Sequence, residues 1–409
     1  MRLVLRLAVV GLSLAFLAVG CKGNEEALKK QADEFAKASQ EAAKAQAALK
    51  ADAEKAKADA AKAVGDVTTA RAEIEKLKGE ADAAKAEAAK LKTDLDAAKA
   101  EADKAKADLA AELEKVKAAA QAKLDAAKAA ALEVVAAQYA AIDKGDVDGY
   151  GATIDPAAFY FGSSSLEAIQ GRDGMLAILH QVFDPAVKTG GKFATRVTNL
   201  QTGIYPDGKA LWIADEVEIT ITIGDKPMVL PFRVTQLLVD KDGKWTVIAL
   251  AWSHSMPNEE AFKAAAEGKL PVPAAIADLV DAGAEPLAQA YSDTVADVAK
   301  MLATVSDRDD AFVFGTAAEE KVTGGKTIKE AFGAQVQQFG VTTAKKDGIR
   351  VGLAPNGKVG FVAGNIDYTA TIEGNKITVP YRYLGIYRDE EGAWKSVQVH
   401  FSIGIAAQQ

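Results

Sequence analysis

Large apolar residues recur every seven positions through the first third of the chain. Two such sets run from Leu28 to Val116, and the second lies three residues before the first, as Ile74 lies before Leu77. Positions a and d of a heptad have this spacing, so the pattern predicts a long helix with a coiled-coil seam. The first set comprises Leu28, Phe35, Leu49, Leu77 and Leu91, and the second comprises Val67, Ile74, Leu95, Leu109 and Val116.

The composition of this segment also favours a helix. Alanine, lysine and glutamate dominate it, Phe35 is the only aromatic residue between Lys22 and Gln138, and all eleven prolines lie at or after Pro156. These three residue types are strong helix formers, and a straight helix over residues 24–130 would extend roughly 160 Å. Because alanine fills most seam positions, little area would be buried. A solvated single helix or a partly disordered tether therefore remains the alternative to a coiled coil.

After about Ala131 the period changes to two, and the pattern occurs twice. Pro206-Asp207-Gly208-Lys209 recurs as Pro355-Asn356-Gly357-Lys358, and Asp242-Gly243-Lys244-Trp245 recurs as Glu391-Gly392-Ala393-Trp394. The offset is constant, since 355 − 206 and 394 − 245 both equal 149. Upstream, Phe161-Gly162-Ser163 matches Phe314-Gly315-Thr316 at an offset of 314 − 161 = 153. A constant register over several motifs indicates an internal duplication.

Each copy is predicted to open with helices and to close with three alternating strands joined by Gly/Asp turns. Helices before an antiparallel meander indicate an α+β unit. The predicted helices are Ala131–Lys144 and Gly171–Phe183 in copy one, and Glu285–Ser306 and Lys326–Phe339 in copy two. The first closing strands are Leu211–Ile223 and Val359–Ile372.

Several of these motifs resemble SnoaL-like domains of the nuclear transport factor 2-like superfamily. The resemblance rests on Phe314-Gly315-Thr316 with Glu319, on Gly324-Gly325-Lys326 and Gly171-Arg172-Asp173, and on the closing strand Trp394–Ser402. It implies a curved sheet wrapped around helices, forming a cone with an apolar pocket. The same cone serves isomerases, cyclases, dehydratases, oligomerisation modules and binding domains, so the fold alone does not decide the function.

The amino terminus predicts export. Arg2 and Arg6 precede an apolar run, Leu7 to Val19, and small residues follow up to Cys21. This is the order of a secretory signal, and the run is shorter than the roughly 20 residues that span a bilayer. Leu17-Ala18-Val19-Gly20-Cys21 resembles the lipobox of bacterial lipoproteins. The alternative is an ordinary secretory signal with a chance cysteine.

The lipobox resemblance implies cleavage before Cys21, diacylglycerol on its sulfur, and a further fatty acyl chain such as palmitate on the new amine. Two or more acyl chains give stable anchoring. Lys22 at the next position implies sorting to the outer membrane, facing the periplasm. We therefore expect a lipid-anchored protein of the cell envelope.

The resulting division has five parts. Residues 1–20 form the signal peptide, 21–130 the lipid anchor and stalk, 131–257 the first domain, 258–284 a linker and 285–409 the second domain. The formal net charge of −8, without a basic patch interleaved with aromatic residues, argues against a nucleic-acid partner.

Two residues are weak candidates for catalysis. Asp215 and His254 fall on the apolar faces of their strands, so both could meet the pocket, and a buried Asp–His pair would be a plausible general base. The alternative is an Asp at a bulge or strand end and a His at the pocket rim. Copy two has Gly364 and Ile403 at the matching positions, so an active site would exist in the first domain only.

Six residues are candidates for lining a ligand pocket. Arg233 and Arg382 match each other and are interpreted as anion contacts at the cone mouth, or else as exposed strand arginines or partners of Glu218 and Asp367. With one cysteine and three histidines, neither a metal site nor a cofactor is expected. The six candidates are Trp212, Arg233, Trp252, His254, Arg382 and His400.

These features predict a membrane-anchored envelope lipoprotein whose tandem domains form a binding or oligomerisation module. Its partners would be the membrane, through lipid on Cys21, a second copy or another protein through the coiled coil, and a small apolar ligand. The alternative is an enzyme of isomerase, cyclase or hydrolase type with its site in the first domain.

Overall fold

The computed structural model describes residues 81–406 and, before them, scattered helical positions between 36 and 57. The predicted signal peptide 1–20, Cys21 and the seam residues before Leu91, apart from Leu49, lie outside the described residues. Helix α1 (Ala81–Lys144) is one uninterrupted element. It therefore merges the predicted stalk with the predicted helix at Ala131, because no glycine or proline separates them. The chain divides into two compact units within this helix, between Asp125 and Ala126.

Helix α1 is the first element of domain 1, which continues with two further helices and six strands. The helices are α2 (Val147–Gly151) and α3 (Arg172–Lys188). The strands are β1 (Ile154–Phe161), β2 (Ala168–Gln170), β3 (Lys192–Ile204), β4 (Ala210–Ile223), β5 (Lys226–Lys241) and β6 (Lys244–Ser253).

Domain 2 repeats this order after a structured connection. The connection contains helix α4 (Asn258–Ala266) and the short strand β7 (Leu279–Val280). Helices α5 (Glu285–Thr294), α6 (Val298–Ala303) and α7 (Gly325–Phe339) belong to domain 2. Its strands are β8 (Phe312–Phe314), β9 (Lys321–Thr323), β10 (Thr342–Leu353), β11 (Val359–Ile372), β12 (Asn375–Glu390) and β13 (Ala393–Ser402).

The two sheets have the same topology apart from the short strand β7, which adds a seventh strand at one edge of the domain 2 sheet. The strand order is β2-β1-β6-β5-β4-β3 in domain 1 and β7-β10-β11-β12-β13-β8-β9 in domain 2. Long antiparallel hairpins form each sheet, while β1 and β8 pair in parallel with β6 and β13. The register shifts between strands in both sheets, for example between Leu237 and Leu238. The predicted α+β class with a long helix before two cone-shaped domains is confirmed.

Two strands, one helix and the linker differ from the prediction. Strands β3 and β10 add a fourth long strand to each sheet. The predicted helix Glu285–Ser306 is two helices, α5 and α6, because the Asp297 side chain caps a new helix by accepting from the Lys300 backbone N–H. The predicted linker is not merely a connection, since α4 packs on β12 and β7 pairs with β10.

The two domains pack through the faces of their sheets that point away from their helices. One apolar cluster contains residues of both sheets, including Trp212, Leu237, Phe361 and Leu384. The arrangement is reciprocal, because the Phe159 ring stacks on Phe361 with centroids 6.5 Å apart and the Trp212 ring stacks on Phe312 at 6.2 Å. Phe159 of domain 1 matches Phe312 of domain 2, and Trp212 matches Phe361. Each ring of domain 1 thus contacts the match of the other ring. The duplication therefore forms an internal pseudo-dimer.

Among the helices that the structure describes, none has the length and apolar character needed to cross a membrane. The exposed seam residues Leu91, Leu95 and Leu109 of α1 have 43%, 48% and 51% of their surface accessible.

Candidate binding cavities

Domain 2 contains a cavity of about 320 Å³ between its helices and the inner face of its sheet. Most of its lining is aliphatic or aromatic. The apolar lining residues on helices α6 and α7 are Val298, Met301, Leu302, Ile328, Phe332, Val336 and Phe339, and those on the strands include Val313, Ile366, Ile372, Val399 and Phe401. Tyr368, Tyr381 and Tyr383 line the cavity on the sheet side. Apolar walls with a few polar groups are typical of small-molecule sites.

Helix α4 closes one side of this cavity. Phe262 lines the cavity, and Ala261 is fully buried against Val379, Tyr381 and Ile403. The first residue of the helix is held by polar contacts. The Asn258 amide donates to Glu320 Oε1 at 2.7 Å and accepts from the Thr316 hydroxyl at 3.0 Å. The connection between the domains is therefore part of the cavity wall of domain 2.

Domain 1 has a smaller cavity of about 130 Å³ at the matching place. Its lining comes from the end of α1, from α2 and α3, and from the inner face of the sheet. The lining residues include Ile142, Tyr150, Tyr160, Ser163, Glu167, Leu179, Phe183, Ile219, Phe232 and Trp252. Ser163 and Glu167 match Thr316 and Glu320, since 316 − 163 and 320 − 167 both equal 153.

A buried polar cluster lies in the core of domain 1. The Tyr139 hydroxyl donates to Asp215 Oδ2, and both side chains are buried. Burial raises the pKa of Asp215 to about 7, although the hydrogen bond from Tyr139 acts in the opposite direction. Gln138 on α1 and Gln236 on β5 are also fully buried. The Asp215 carboxyl can therefore carry a proton near neutral pH.

Domain 2 has tyrosines where domain 1 has this cluster. The Tyr383 and Tyr387 hydroxyls lie 2.5 Å apart, and both side chains are buried with Tyr291. Gly364 and Gly385 match Asp215 and Gln236 at the offset of 149. A methyl carbon on Gly364 would lie 3.0 Å from the Tyr291 hydroxyl, and one on Gly385 would lie 2.2 Å from that of Tyr383. The two glycines thus make room for the tyrosine hydroxyls.

Among the six residues predicted to line a pocket, the structure places Trp252 along the cavity of domain 1. Trp212 belongs to the apolar cluster between the domains. Its strand, β4, is buried on both faces over Ala210–Asp215, so a buried position there need not face the cone.

Arg233 and Arg382 lie at the domain interface and not at a cone mouth. Arg233 Nη1 donates to the backbone carbonyls of Gly315 at 2.5 Å and Ala317 at 3.3 Å. Arg382 Nη1 donates to those of Gly162 and Ser164, both at 2.7 Å. Each arginine thus holds the loop after the aromatic-Gly motif of the opposite domain.

The surroundings of these arginines differ from both interpretations made from the sequence. They are 3% and 1% exposed, so they are not exposed strand residues, and Glu218 accepts from Arg196 instead. Each guanidinium lies over a phenylalanine, Arg233 over Phe314 at 5.6 Å and Arg382 over Phe161 at 5.3 Å. Burial lowers the pKa of both arginines to about 10, which leaves them charged at neutral pH.

His400 lies in the same interface. Its Nε2 is 2.7 Å from the Ser253 hydroxyl and its Nδ1 is 3.0 Å from the Thr235 hydroxyl, so both of its partners belong to domain 1. Burial, with Arg233 and Arg382 nearby, lowers the pKa of His400 well below its usual value. The neutral imidazole therefore joins the two domains.

The weak catalytic candidates Asp215 and His254 have different partners. The Asp215 carboxylate binds the Tyr139 hydroxyl, whereas His254 Nδ1 lies 2.7 Å from the Pro231 carbonyl oxygen and its ring packs on Phe232. The His254 pKa is lowered by burial. Neither residue is among those that line the domain 1 cavity. Within the described chain, no three His, Cys, Asp or Glu side chains converge as metal ligands would.

Three residues that shape the cavities were missed in the sequence. Asn258 and Phe262 lie in the segment interpreted as a linker, and Glu320 was not singled out. The signal for Glu320 was present, because Glu167 precedes it by the same offset of 153 as the neighbouring aromatic-Gly motif. No such signal marked Asn258 and Phe262.

Solved structures that resemble this chain each match about a third of it. A protein of Catenulispora acidiphila, solved in complex with S-DNPA, is 19% identical with a TM-score of 0.28, over 32% of this chain and 94% of that chain. ActVI-ORFA of Streptomyces coelicolor is 22% identical with a TM-score of 0.28, over 31% and 96%. A nuclear transport factor 2-like protein of unknown function from Shewanella oneidensis is 14% identical with a TM-score of 0.25, over 30% and 95%.

The family comparison covers more than half of the chain. No curated protein matches it. The family model described as the SnoaL-like domain matches residues 131–259 and again residues 285–406, which correspond to the two sheets and their helices. The chain therefore belongs to the SnoaL-like domain family and carries two copies of that domain in tandem.

Proposed function

We propose that this protein is a lipid-anchored component of the bacterial cell envelope whose second domain binds a small apolar ligand. The observation that carries the proposal is the cavity of about 320 Å³ in domain 2, walled by aliphatic and aromatic side chains. The cavity of domain 1 is less than half that size, at about 130 Å³. Pockets for small molecules begin at roughly 300 Å³, so domain 2 is the better binding site.

The polar groups of the cavity favour an uncharged or weakly polar ligand. Glu320 Oε2 already accepts the backbone N–H groups of Thr316 and Ala317, and its Oε1 accepts from Asn258. The carboxylate is thus used within the protein. Tyr368 lines the cavity, and burial raises the pKa of its hydroxyl to about 12, so this hydroxyl stays a donor for an oxygen of the ligand.

Filling the cavity tests this assignment. Val336 lines the domain 2 cavity, and Val336→Trp should reduce the affinity for the uncharged apolar dye N-phenyl-1-naphthylamine at least about tenfold, because the indole occupies the space. Val182→Trp, in the wall of the smaller cavity, is the matched control and should leave the affinity within about twofold. Equal loss in both variants, or loss only in the control, would contradict the assignment to domain 2.

Anchoring rests on the amino-terminal segment, which lies outside the described residues. The Arg2 and Arg6 start, the apolar run and the single cysteine support cleavage and acylation at Cys21. Intact mass spectrometry of the protein extracted from membranes should show a chain that begins at Cys21 and carries diacylglycerol and a further acyl group. Cys21→Ser should abolish membrane association. A mature chain with an unmodified thiol would overturn this part of the proposal.

We propose that the stalk self-associates through α1. Leu95 and Leu109 occupy the same heptad position and are about half exposed, as expected for a seam whose partner is another chain. Light scattering on the full chain should give a mass above that of one copy, and the double variant Leu95→Lys, Leu109→Lys should reduce it. Leu113→Lys is the control, since Leu113 is equally exposed but lies outside the seam. A monomeric parent chain would refute self-association.

A second candidate function is catalysis in domain 1, of isomerase, cyclase or hydrolase type. It is favoured by one observation, the buried Asp215 whose pKa is raised to about 7 beside Tyr139. A carboxyl that exchanges its proton near neutral pH suits a general base or acid. Asp215 does not line the cavity, so binding is the better-supported function. Retention of any measured activity by Asp215→Asn would eliminate this candidate.

A further inference from the structure

No helix in the described part of the chain covers the apolar face beside the mouth of the domain 1 cavity, whereas its counterpart in domain 2 lies under α4. We define the domain 1 groove as Leu230, Phe232 and His254 with Ser163 and Glu167. In domain 2 the matching residues are Val379, Tyr381, Ile403, Thr316 and Glu320, at offsets of 149 or 153. Helix α4 packs on that matching set. The duplication therefore shows how such a face is filled.

The contacts of α4 on domain 2 are of two kinds. Ala261 packs closely on Val379 and Tyr381, and Phe262 enters the cavity. Asn258, the first residue of the helix, is fixed by Thr316 and Glu320 through two hydrogen bonds. The interaction has three recognisable parts. They are a small residue at the crossing (Ala261), a large apolar residue beside it (Phe262) and an amide at the helix start (Asn258).

Domain 1 retains the receiving side of the same interaction. The Glu167 carboxylate accepts the Ser164 N–H at 2.9 Å, as the Glu320 carboxylate accepts the N–H of Ala317, the residue that matches Ser164, at 3.1 Å. Its Oε1 takes no hydrogen bond from any described residue, whereas Oε1 of Glu320 accepts from Asn258. Ser163 and Glu167 thus stand where an amide of a docked helix would bind.

The apolar part of the groove is exposed accordingly. Tyr381 is only 7% exposed under α4, whereas its match Phe232 is half-buried. Met228 and Val229, which precede the groove on β5, are 51% and 53% exposed. No described element of domain 1 occupies the place that α4 has on domain 2.

The backbone beside the domain 1 groove makes the same hydrogen bond as the backbone that leads into α4 on domain 2. The Met256 N–H, just before α4, donates to the Thr316 carbonyl at 2.8 Å, and the Ile405 N–H donates to the Ser163 carbonyl at 3.0 Å. These residues match, since 405 − 256 = 149. The position that corresponds to Asn258 is Ala407, which lies outside the described residues. The entrance to the groove is therefore built as it is in domain 2.

We propose that the domain 1 groove docks an amphipathic helix of a partner protein, in the position that α4 occupies on domain 2. The partner helix would present a small residue over Leu230 and Phe232 and an adjacent large apolar residue toward the cavity. An amide side chain at its first turn would bind Ser163 and Glu167. Helices that place apolar residues into a groove are a common mode of peptide recognition.

The sequence of α4 itself supplies the probe. A dye-labelled peptide with the sequence of residues 256–268 should bind the full chain saturably in an anisotropy titration, weakly because a short peptide must order on binding. Phe232→Glu in the chain should lower the association constant at least about tenfold, because it places a charge in the apolar contact. Phe262→Ala in the peptide should have a similar effect. Val272→Glu, at a highly exposed residue of the linker, should change it less than about twofold.

Two further measurements keep the test decisive. Phe232→Ala, with circular dichroism to check folding, should also weaken binding, which excludes misfolding as the cause. A photo-cross-linker in place of Phe262 in the peptide should label domain 1 between residues 219 and 254. Labelling confined to domain 2, or no saturable binding up to about millimolar peptide, would overturn the proposal. Dye binding to the cavity of domain 2 should persist in Phe232→Glu, so failure here is separable from failure of the proposed function.

Discussion

The two domains share a strand order, a cavity position and an interface, yet they differ in what lies inside the cone and what covers its mouth. Domain 1 has Asp215 bonded to Tyr139 in its core, and domain 2 has Gly364 beside Tyr291. Helix α4 covers domain 2, and no helix among the described residues covers the matching face of domain 1. The backbone of a duplicated fold is therefore preserved by its packing pattern, while one or two side chains per copy decide the chemistry.

The two buried arginines of the interface are a feature that both copies share. Arg233 and Arg382 perform the same task in opposite directions, and each domain supplies the loop that the other holds. An enzyme site and a ligand pocket are free to diverge, but residues that serve two copies at once are constrained by both. This explains why the matched arginines are structural.

Removal of an interface arginine is expected to have the largest effect. Arg233→Met keeps most of the apolar volume but leaves the Gly315 and Ala317 carbonyls without their donor, which should lower the free energy of unfolding by about 4 kcal/mol. Arg382→Met should behave alike. Urea denaturation monitored by circular dichroism measures both. Arg196→Met, at an exposed arginine of β3, is the control and should change the stability by less than about 0.5 kcal/mol. Unequal effects of the two matched arginines would break the symmetry inferred here.

Replacing Asp215 should change how stability depends on pH. Because burial raises the pKa of Asp215 to about 7 in the folded state, the folded protein holds a proton that the unfolded chain releases near pH 4. The resulting stabilisation is complete below about pH 4 and is lost as the pH rises through about 7. The free energy of unfolding of Asp215→Asn should therefore rise by on the order of 3 kcal/mol relative to that of the parent as the pH increases from 4 to 8.

Denaturation at several pH values, with Asp225→Asn in the exposed β4–β5 turn as the control, measures this difference. The contributions of the other titratable groups cancel, because the measurement compares the free energies of unfolding of variant and parent at each pH. A constant difference across this range would show that Asp215 is ionised in the folded state throughout.

The matched tyrosines give the smallest and sharpest contrast. Tyr139→Phe removes the donor to Asp215 and should cost about 2 kcal/mol at pH 7, because the carboxyl oxygen is left buried without that hydrogen bond. Tyr291 occupies the corresponding place, but its hydroxyl finds no protein partner in the described part of the chain. Tyr291→Phe should therefore change the stability by less than about 0.5 kcal/mol. Thermal and urea unfolding of both variants test this, and equal losses would mean that the two cores are not distinct.

The repetition carried most of the fold prediction. The constant offset of 149 between repeated motifs locates the matched strands from the sequence alone, and the absence of proline before Pro156 predicts the long helix. Strand β3 was missed because it alternates poorly, and β10 because the polar run Lys345-Lys346-Asp347-Gly348 interrupts its apolar pattern. Along β3, Lys192–Ile204, most residues are exposed or half-buried, so its side chains form no clear apolar face. An alternating pattern arises where one face of a strand is buried, and an edge strand such as β3 buries little of its surface.

The site was harder to predict, for a related reason. Alternation assigns residues to opposite faces of a strand, but it does not say what covers each face. Trp212 and Arg233 were interpreted as pocket residues although the second domain covers their side of the sheet. The role of α4 depends on its position in space, and nothing in residues 258–266 specifies the β12 surface that it covers.

The central claim is that an apolar ligand occupies domain 2 and not domain 1, and counting bound molecules tests it most directly. Native mass spectrometry of the full chain extracted from membranes should show one small apolar molecule per chain. That molecule should disappear in Val336→Trp and persist in Val182→Trp. A parent chain without any bound molecule, or one whose bound molecule is displaced by Val182→Trp alone, would contradict the account.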